Sequence, residues 1–404
     1  MLVCAADSSP VFVRVRSYFD VPLHWRWMRI GVSVVVAFSL LYLCRPAHAY
    51  SVLTHEAVID SAWDQSIRPL LVRRFPASKA DDLRRAHGFA YGGAIVQDMG
   101  YYPHGSHEFS DLAHYIRSGE FIQNLIRDSR TLEEYAFALG SVAHYAGDEE
   151  GHTIAVNVVE PMLYPEIRRK FGQSVTYEDD PVRHLKTEFS FDVLQVARGY
   201  YAPQAYHDFI GFGVSSDLLD RALMETYCLH LADLFKDPQK AVNSYRRDVS
   251  GLIPHATRIA WAMKGKEIEK HSPGMGRRKF VYNISRASYE KEWGRNYDRP
   301  SFLDHVLAFL LRLVPPIGPL SDIRFKTPNA ASESLFMESF DRTLDRYRAF
   351  LRDAGEGKLR LENLNFDTGK PARSGTYRLA DEAAAKWKEA TAPGCSSMPS
   401  GRAD

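Results

Sequence analysis

The chain has 404 residues, of which 45% are hydrophobic and 25% charged, and its formal net charge is +1. That length supports a large core and one or two domains. A charge this close to zero excludes a global electrostatic case for nucleic-acid binding, so no specific nucleic-acid partner is predicted.

The first segment reads as an export signal rather than as part of the fold. Ile30 to Cys44 is an apolar run too short to span a bilayer comfortably. Arg26 and Arg29 precede it, and Ala47-His48-Ala49 follows it as an A-x-A cleavage signal. Met28-Arg29 makes a normal signal-peptide start, so residues 1–27 read as an upstream extension. The competing reading is an uncleaved membrane anchor. Lipid attachment at Cys44 is disfavoured by the bulky Leu43 before it. The mature protein is expected to begin at Tyr50 and to be periplasmic or secreted. Of the four cysteines, Cys228 and Cys395 then remain. Export permits a disulfide between them, but two unlinked thiols is the expectation.

Beyond Tyr50 the pattern is helical nearly throughout. Val52 to Phe75 carries apolar residues at helical spacing, with Thr54 as N-cap and Pro76 as stop. Leu83 to Ile95 is a second helix, and Gly100 to Ser110 a loop rich in Gly, Pro and His. Asp111 to Ile116 and Gly119 to Arg127 are helical. Leu132 to Val158 is one long helix with small residues inside it (Ala136, Ala138, Gly140, Ala143, Ala146, Gly147), which permit close helix approach. Pro161, Pro165 and Gly172 break the pattern; Pro181 to Arg198 and Ser216 to Leu234 resume it. No run alternates with period two, so no sheet is predicted. From about Asp237 the ligand-type residues thin out. Gly265 to Arg278 reads as a basic loop, Leu303 to Leu320 as a strongly apolar piece, Phe336 to Leu351 as an amphipathic helix, and Thr391 to Asp404 as a disordered tail. The expected organisation is signal and extension (1–49), helical domain (50–236), helical C-terminal extension (237–390) and tail (391–404).

The chemistry concentrates in Ala143 to His152, AHYAGDEEGH. His144, Asp148 and His152 follow one another at i, i+4 steps, which on a helix stacks three side chains on one face. His184 and Glu188 form a second i, i+4 pair. Imidazole nitrogens and carboxylate oxygens are suitable zinc ligands, and helices present them at fixed separations. The face around the triple is small and apolar, so its polar groups are expected to be buried and to need partners. A metal meets that need; so does a buried His/Asp hydrogen-bond network. Upstream, His55 opens the first mature helix, and Asp98 and His114 flank the loop.

The order Tyr50…His55…Asp98…His114…His144-x-x-x-Asp148-x-x-x-His152…His184-x-x-x-Glu188 resembles the zinc-dependent phospholipase C family, whose superfamily includes glycosylphosphatidylinositol phospholipase D and, more distantly, the P1/S1 nucleases. The resemblance covers roughly Tyr50 to Phe235. It implies an all-α fold, a multi-helix bundle around a cluster of up to three zinc ions (Zn2+). Asp98, His114 and His144 would hold one zinc, with Asp148 bridging to a second. The second would also take His55 and the amino and carbonyl groups of the processed N-terminus at Tyr50. His152, His184 and Glu188 would hold the third. The secreted relatives start with Trp where this chain has Tyr50. They also place a longer, proline-containing gap where Asp148 and His152 are separated by three residues; that shorter gap is more like the phospholipase D branch.

The implied activity is hydrolysis of a phospholipid or related phosphodiester. Leu303 to Leu320 reads first as a core helix, with a lipid-surface element for peripheral membrane contact as the second reading. Asp98 is the candidate to orient or deprotonate the attacking water. Glu56 is the second candidate; its simpler reading is a first-turn acid favoured by the helix dipole. His104 and His107 read as loop residues outside the metal set. Two other readings stand beside this one: a P1/S1-like nuclease with Tyr101, Tyr102 or Tyr145 stacking a base, and a zinc-binding protein without turnover.

Overall fold

The computed structural model of the protein describes residues 52–198, 212–246, 265–266, 326 and 328–391. The fold is all-α, and helices in chain order are α1 (Val52–Ala62), α2 (Arg68–Arg74), α3 (Ala80–Ile95), α4 (His107–Tyr115), α5 (Ser118–Asp128), α6 (Leu132–Glu150), α7 (Asn157–Leu163), α8 (Pro165–Phe171), α9 (Pro181–Arg198), α10 (Ser216–Tyr227), α11 (Leu231–Leu234), α12 (Ala330–Gly355) and α13 (Arg378–Thr391). A two-residue antiparallel ladder, β1 (Leu364–Asn365) with β2 (Lys370–Pro371), is the one strand pairing among the described residues. It is too short to carry an alternating pattern, which is why the sequence predicts no sheet.

α6 is the axis of the bundle. Its start is a capping box: Thr131 Oγ1 accepts from Glu134 N at 3.1 Å, and Glu134 Oε2 accepts from Thr131 N at 3.3 Å. The small residues predicted along it do bring helices together. A Cβ on Gly93 of α3 would lie 1.8 Å from Phe137 O, and one on Gly140 of α6 would lie 2.1 Å from Ala90 O. α3 and α6 therefore touch backbone to backbone. Around this pair, α5 and α10 join one continuous core that includes Phe109, Phe121, Phe137 and Tyr227. α12 lies against α6 on another side, where Tyr347 OH donates to Leu139 O at 3.0 Å. α13 is tied to the end of α10 by Trp387 Nε1 donating to Tyr227 O at 2.8 Å.

Several predicted elements are corrected. The first helix is not continuous to Phe75: a π-helical turn, Trp63–Ile67, separates α1 from α2. Thr54 is inside α1 rather than its cap, and its hydroxyl donates to Asp192 at 2.6 Å. The loop after α3 begins as a 3-10 turn, Val96–Tyr101, and helix resumes already at His107, capped by Ser106. The long helix runs from Leu132 to Glu150, then widens into a π-helical turn, Gly151–Val156, before α7. The Ser216 to Leu234 helix breaks at Cys228, which adopts a left-handed conformation (φ 56°). Cys228 is also disulfide-bonded, against the expectation of an unlinked thiol. The signal region, Tyr50, Leu303 to Leu320 and the tail after Thr391 lie outside the described residues, as does Gly265 to Arg278 apart from 265–266. No described helix is long and apolar enough to cross a membrane.

Candidate metal centre

The eight predicted side-chain ligands come from six separate elements. His55 is on α1, Asp98 on the 3-10 turn, and His114 in the last turn of α4. His144 and Asp148 are on α6, His152 is the second residue of the second π turn, and His184 and Glu188 are on α9. All eight are buried. They converge into three groups: Asp98, His114 and His144; His55, His144 and Asp148; and His152, His184 and Glu188. In each group the donor atoms lie within 4.8 Å of one another. His104 and His107, set aside from the metal set, join none of these groups.

The spacing of the first donors is that of a coordination shell. A tetrahedral zinc with bonds of about 2.0–2.1 Å places its donors about 3.3 Å apart. Here His114 Nε2 stands 3.2 Å from Asp98 Oδ1, 3.4 Å from Asp148 Oδ2 and 3.3 Å from His144 Nε2. His144 Nε2 is 3.0 Å from Asp148 Oδ2 and 3.8 Å from Asp98 Oδ1. The other oxygen of Asp148 faces the opposite way, with Oδ1 at 3.4 Å from His55 Nε2. One carboxylate thus presents an oxygen to each of two groups, as a bridging ligand must. The third group is looser: Glu188 Oε1 lies 3.0 Å from His184 Nε2 and 3.7 Å from His152 Nε2. Both oxygens of Asp148, Nε2 of His152 and Oε1 of Glu188 are buried and make no hydrogen bond. Buried polar atoms of this kind need a partner, and a divalent cation fits this donor set.

The i, i+4 spacing stacks His144, Asp148 and His152 on one face, but the structure groups His152 with His184 and Glu188, the set that the resemblance implies. His152 joins α9 rather than His144 and Asp148, because the helix widens at Gly151, directly before it. A π turn rotates the residues after it relative to an α-helical face.

Backbone carbonyls fix the imidazoles. His114 Nδ1 bonds Ser110 O at 2.7 Å, His144 Nδ1 bonds Ala94 O at 2.9 Å, and His152 Nδ1 bonds Phe366 O at 2.9 Å. A carbonyl can only accept, so Nδ1 carries the hydrogen in each ring and Nε2 is left with its lone pair toward the cluster. His184 differs: its Nδ1 faces a carboxylate, Glu160 Oε2, at 3.5 Å. The 3-10 turn that bears Asp98 is pinned by Ser110, whose hydroxyl donates to Gln97 O and accepts from Gly100 N at 3.0 Å.

The electrostatics respond to this crowding. Burial opposes protonation of His114, but the carboxylates of Asp148 and Asp98 facing it outweigh burial and raise it to about 10 in the metal-free protein. Burial, then His144, keeps His55 low. Burial would raise Asp148, yet His144, His114 and His55 around it hold it well below the usual carboxylate range. Burial pushes Glu188 well above its ordinary value, and the carboxylates Asp148, Asp98, Asp367 and Asp192 push the same way. A bound divalent cation would reverse that last effect, since it favours the ionised carboxylate.

Four neighbours of the centre were not singled out from the sequence. Asp192 continues the His184, Glu188 spacing by one more step of four and accepts from Leu53 N at 3.0 Å and from the Thr54 hydroxyl, beside His55. The i, i+4 rule already applied to His184 and Glu188 could have found it. Glu160 carried no such signal, and neither did Phe366 and Asp367, far down the chain in the turn between β1 and β2. Glu56 lies past the first turn of α1 and is buried, so the reading of a first-turn acid favoured by the helix dipole is corrected.

A helical frame that closes His and carboxylate donors into three groups is that of a metal-binding protein, with donors of the kind zinc takes. Residues 54–237 match the family described as zinc dependent phospholipase C. That segment is similar to the zinc dependent phospholipase C family, a family of hydrolases. Comparison with curated proteins and with solved structures finds no match.

Proposed function

We propose that the protein is an exported zinc-dependent phosphodiesterase of the phospholipase C type, hydrolysing a phospholipid or related phosphodiester at a lipid surface. The observation that carries this reading is the shared donor set: Asp148 faces two groups at once, and His144 belongs to both. When bound, clustered zinc ions supply positive charge for the phosphoryl oxygens and bring coordinated water to a pKa of about 7. The chain's own residues do the rest. The three carbonyl-anchored imidazoles are held so that they need not reorganise during turnover. Asp98, fixed on its pinned turn, orients the attacking water and takes its proton. Glu56, buried beside His55, is the second candidate for that proton.

The phospholipid reading is favoured over a nuclease by the place of Tyr145. It is 1% exposed, edge-on to Phe350 and Phe366, with its hydroxyl on Glu362 O at 3.1 Å. It has no face to offer a base. Tyr102 is likewise packed against Tyr245, with ring centroids 4.4 Å apart. Export is supported by the disulfide at Cys228, since such bonds persist in oxidising compartments.

The test is zinc per chain on protein beginning at Tyr50 and on the same protein with one added N-terminal residue, followed by phospholipid hydrolysis with product analysis. Three zincs, falling when the terminus is extended, with release of diacylglycerol, is the expected result. Phosphatidic acid as product would replace C-type with D-type cleavage. A zinc-loaded protein that turns over no phosphodiester would leave a zinc-binding protein without catalysis. Asp98→Asn with zinc retained and turnover lost would assign the proton transfer.

A further inference from the structure

The turn between β1 and β2 lies more than a hundred residues beyond the matched family segment, yet it reaches the metal centre. Asn365-Phe366-Asp367-Thr368-Gly369 is shaped by its own side chain. Asn365 Oδ1 accepts from Asp367 N at 3.0 Å and from Thr368 N at 3.1 Å, and Gly369 turns the chain at φ 63°. Phe366 N donates to His114 O at 3.1 Å, and its ring packs against His114, His144 and Tyr145. Phe366 O then accepts from His152 Nδ1.

Asp367 follows, and only 2% of it is exposed. Its Oδ2 accepts from Tyr177 N at 2.9 Å and from the Tyr377 hydroxyl. Its Oδ1 makes no hydrogen bond and lies 3.9 Å from His152 Nδ1. Tyr177 sets its ring edge-on to His184, with centroids 5.7 Å apart. One carboxylate thus stands behind both histidines of the third donor group: directly behind His152, and through Tyr177 behind His184. A buried negative charge next to an imidazole N–H makes the opposite nitrogen a better donor to a metal.

We propose that Asp367 is a positioning residue for the third zinc site, so that the C-terminal extension is part of the metal centre. This rests on the zinc reading above. The loss expected on removing such an outer partner is about 10–100-fold in metal affinity.

The test uses the full mature chain and a chelator titration with zinc counted per chain. Asp367→Asn keeps the shape and removes the charge. One zinc should leave at about 10–100-fold lower chelator concentration than in the wild type, while the others hold. The double variant His184→Ala/Asp367→Asn should bind as many zincs as His184→Ala alone, which identifies the zinc affected. Wild-type protein without zinc would sink the zinc reading itself. Wild-type protein with three zincs, and a variant that keeps all three at the same chelator midpoint, would overturn the role of Asp367. Equal weakening of every zinc would also overturn it, because that marks general loosening of the fold. If Asp367→Asn does not fold, Tyr377→Phe carries the test. It removes the hydroxyl that donates to Asp367 and that also meets the Tyr115 hydroxyl, and the same zinc should loosen in smaller measure; no shift would overturn the proposal.

Discussion

Gly140→Ala tests whether the helix contact at the heart of the bundle also sets the metal centre. The added Cβ would sit 2.1 Å from Ala90 O and 3.0 Å from Ala94 N, both backbone atoms that no side-chain rotation can move. Ordinary contact begins at 3.4 Å, so α3 and α6 must part by about 1 Å (the shortfall at Ala90 O). Overpacking of this kind costs about 1–3 kcal/mol. One turn on from Gly140, His144 Nδ1 holds Ala94 O at 2.9 Å. A displacement of that size stretches the bond past useful geometry, at about 1 kcal/mol more. Against these stands the better helix propensity of Ala, worth about 1 kcal/mol. The net expectation is a loss of about 1–3 kcal/mol, read as a lower denaturant midpoint at unchanged m-value. Zinc at the His114/His144 group should weaken with it, because the ring loses its fixed tautomer. A variant about 1 kcal/mol more stable than wild type, with unchanged zinc content, would refute the reasoning: propensity would then be the only term and the backbone contact absent.

Three further predictions concern charge. Removing zinc should destabilise the protein and re-adding it should restore the loss, because the centre buries three carboxylates among its ligands. Zinc retention should also fall as pH falls, since burial raises the carboxyl of metal-free Glu188 and a proton then competes for the same oxygen; zinc counted after dialysis across a pH series checks both. Glu134 caps α6 and pairs with Arg221 at 2.6 Å. Burial would raise its carboxyl, but Arg221 and the backbone N–H of Arg130 lower it. A lowered carboxyl contributes stability above its unfolded value of 4.5 and loses it as pH falls through the folded value. Glu134→Gln should therefore cost about 1 kcal/mol near neutral pH, and the gap to wild type should close in acid; a constant gap from pH 7 down to pH 3 would contradict the assignment.

The metal centre was legible in the sequence where ligands share a helix, and illegible where the chain must fold back to meet them. His144 with Asp148, and His184 with Glu188, are turns of single helices, so spacing alone places them. His55, Asp98 and His114 follow from the resemblance, because no periodicity links three different elements. The grouping of His152 with His184 and Glu188 followed from the resemblance and not from spacing: a π turn around Gly151 leaves no mark in an i, i+4 count. The C-terminal extension was hardest to read. Arg378–Thr391 is a clean helix that was passed over, and NFDTG carries no ligand spacing at all. Its part in the site depends on where the chain returns, which local pattern does not encode.

The supports of the donors explain why a centre built from so many elements can be rigid. Three histidines are held by main-chain carbonyls: Ser110 O within α4, Ala94 O near the end of α3, and Phe366 O in the turn between β1 and β2. A main-chain acceptor has no rotamers to lose, and each of these is fixed by its own surroundings: α4 for Ser110, the Gly93 and Gly140 contact for Ala94, the Asn365 side chain for Phe366. The α1 end of the site is held by a side chain, Asp192, but that residue rides on the same helix as His184 and Glu188. Each supporting atom therefore belongs to an element that packs for other reasons. Chemistry can be added to such a frame by placing a donor next to a carbonyl that is already fixed, and that is the arrangement His114, His144 and His152 share.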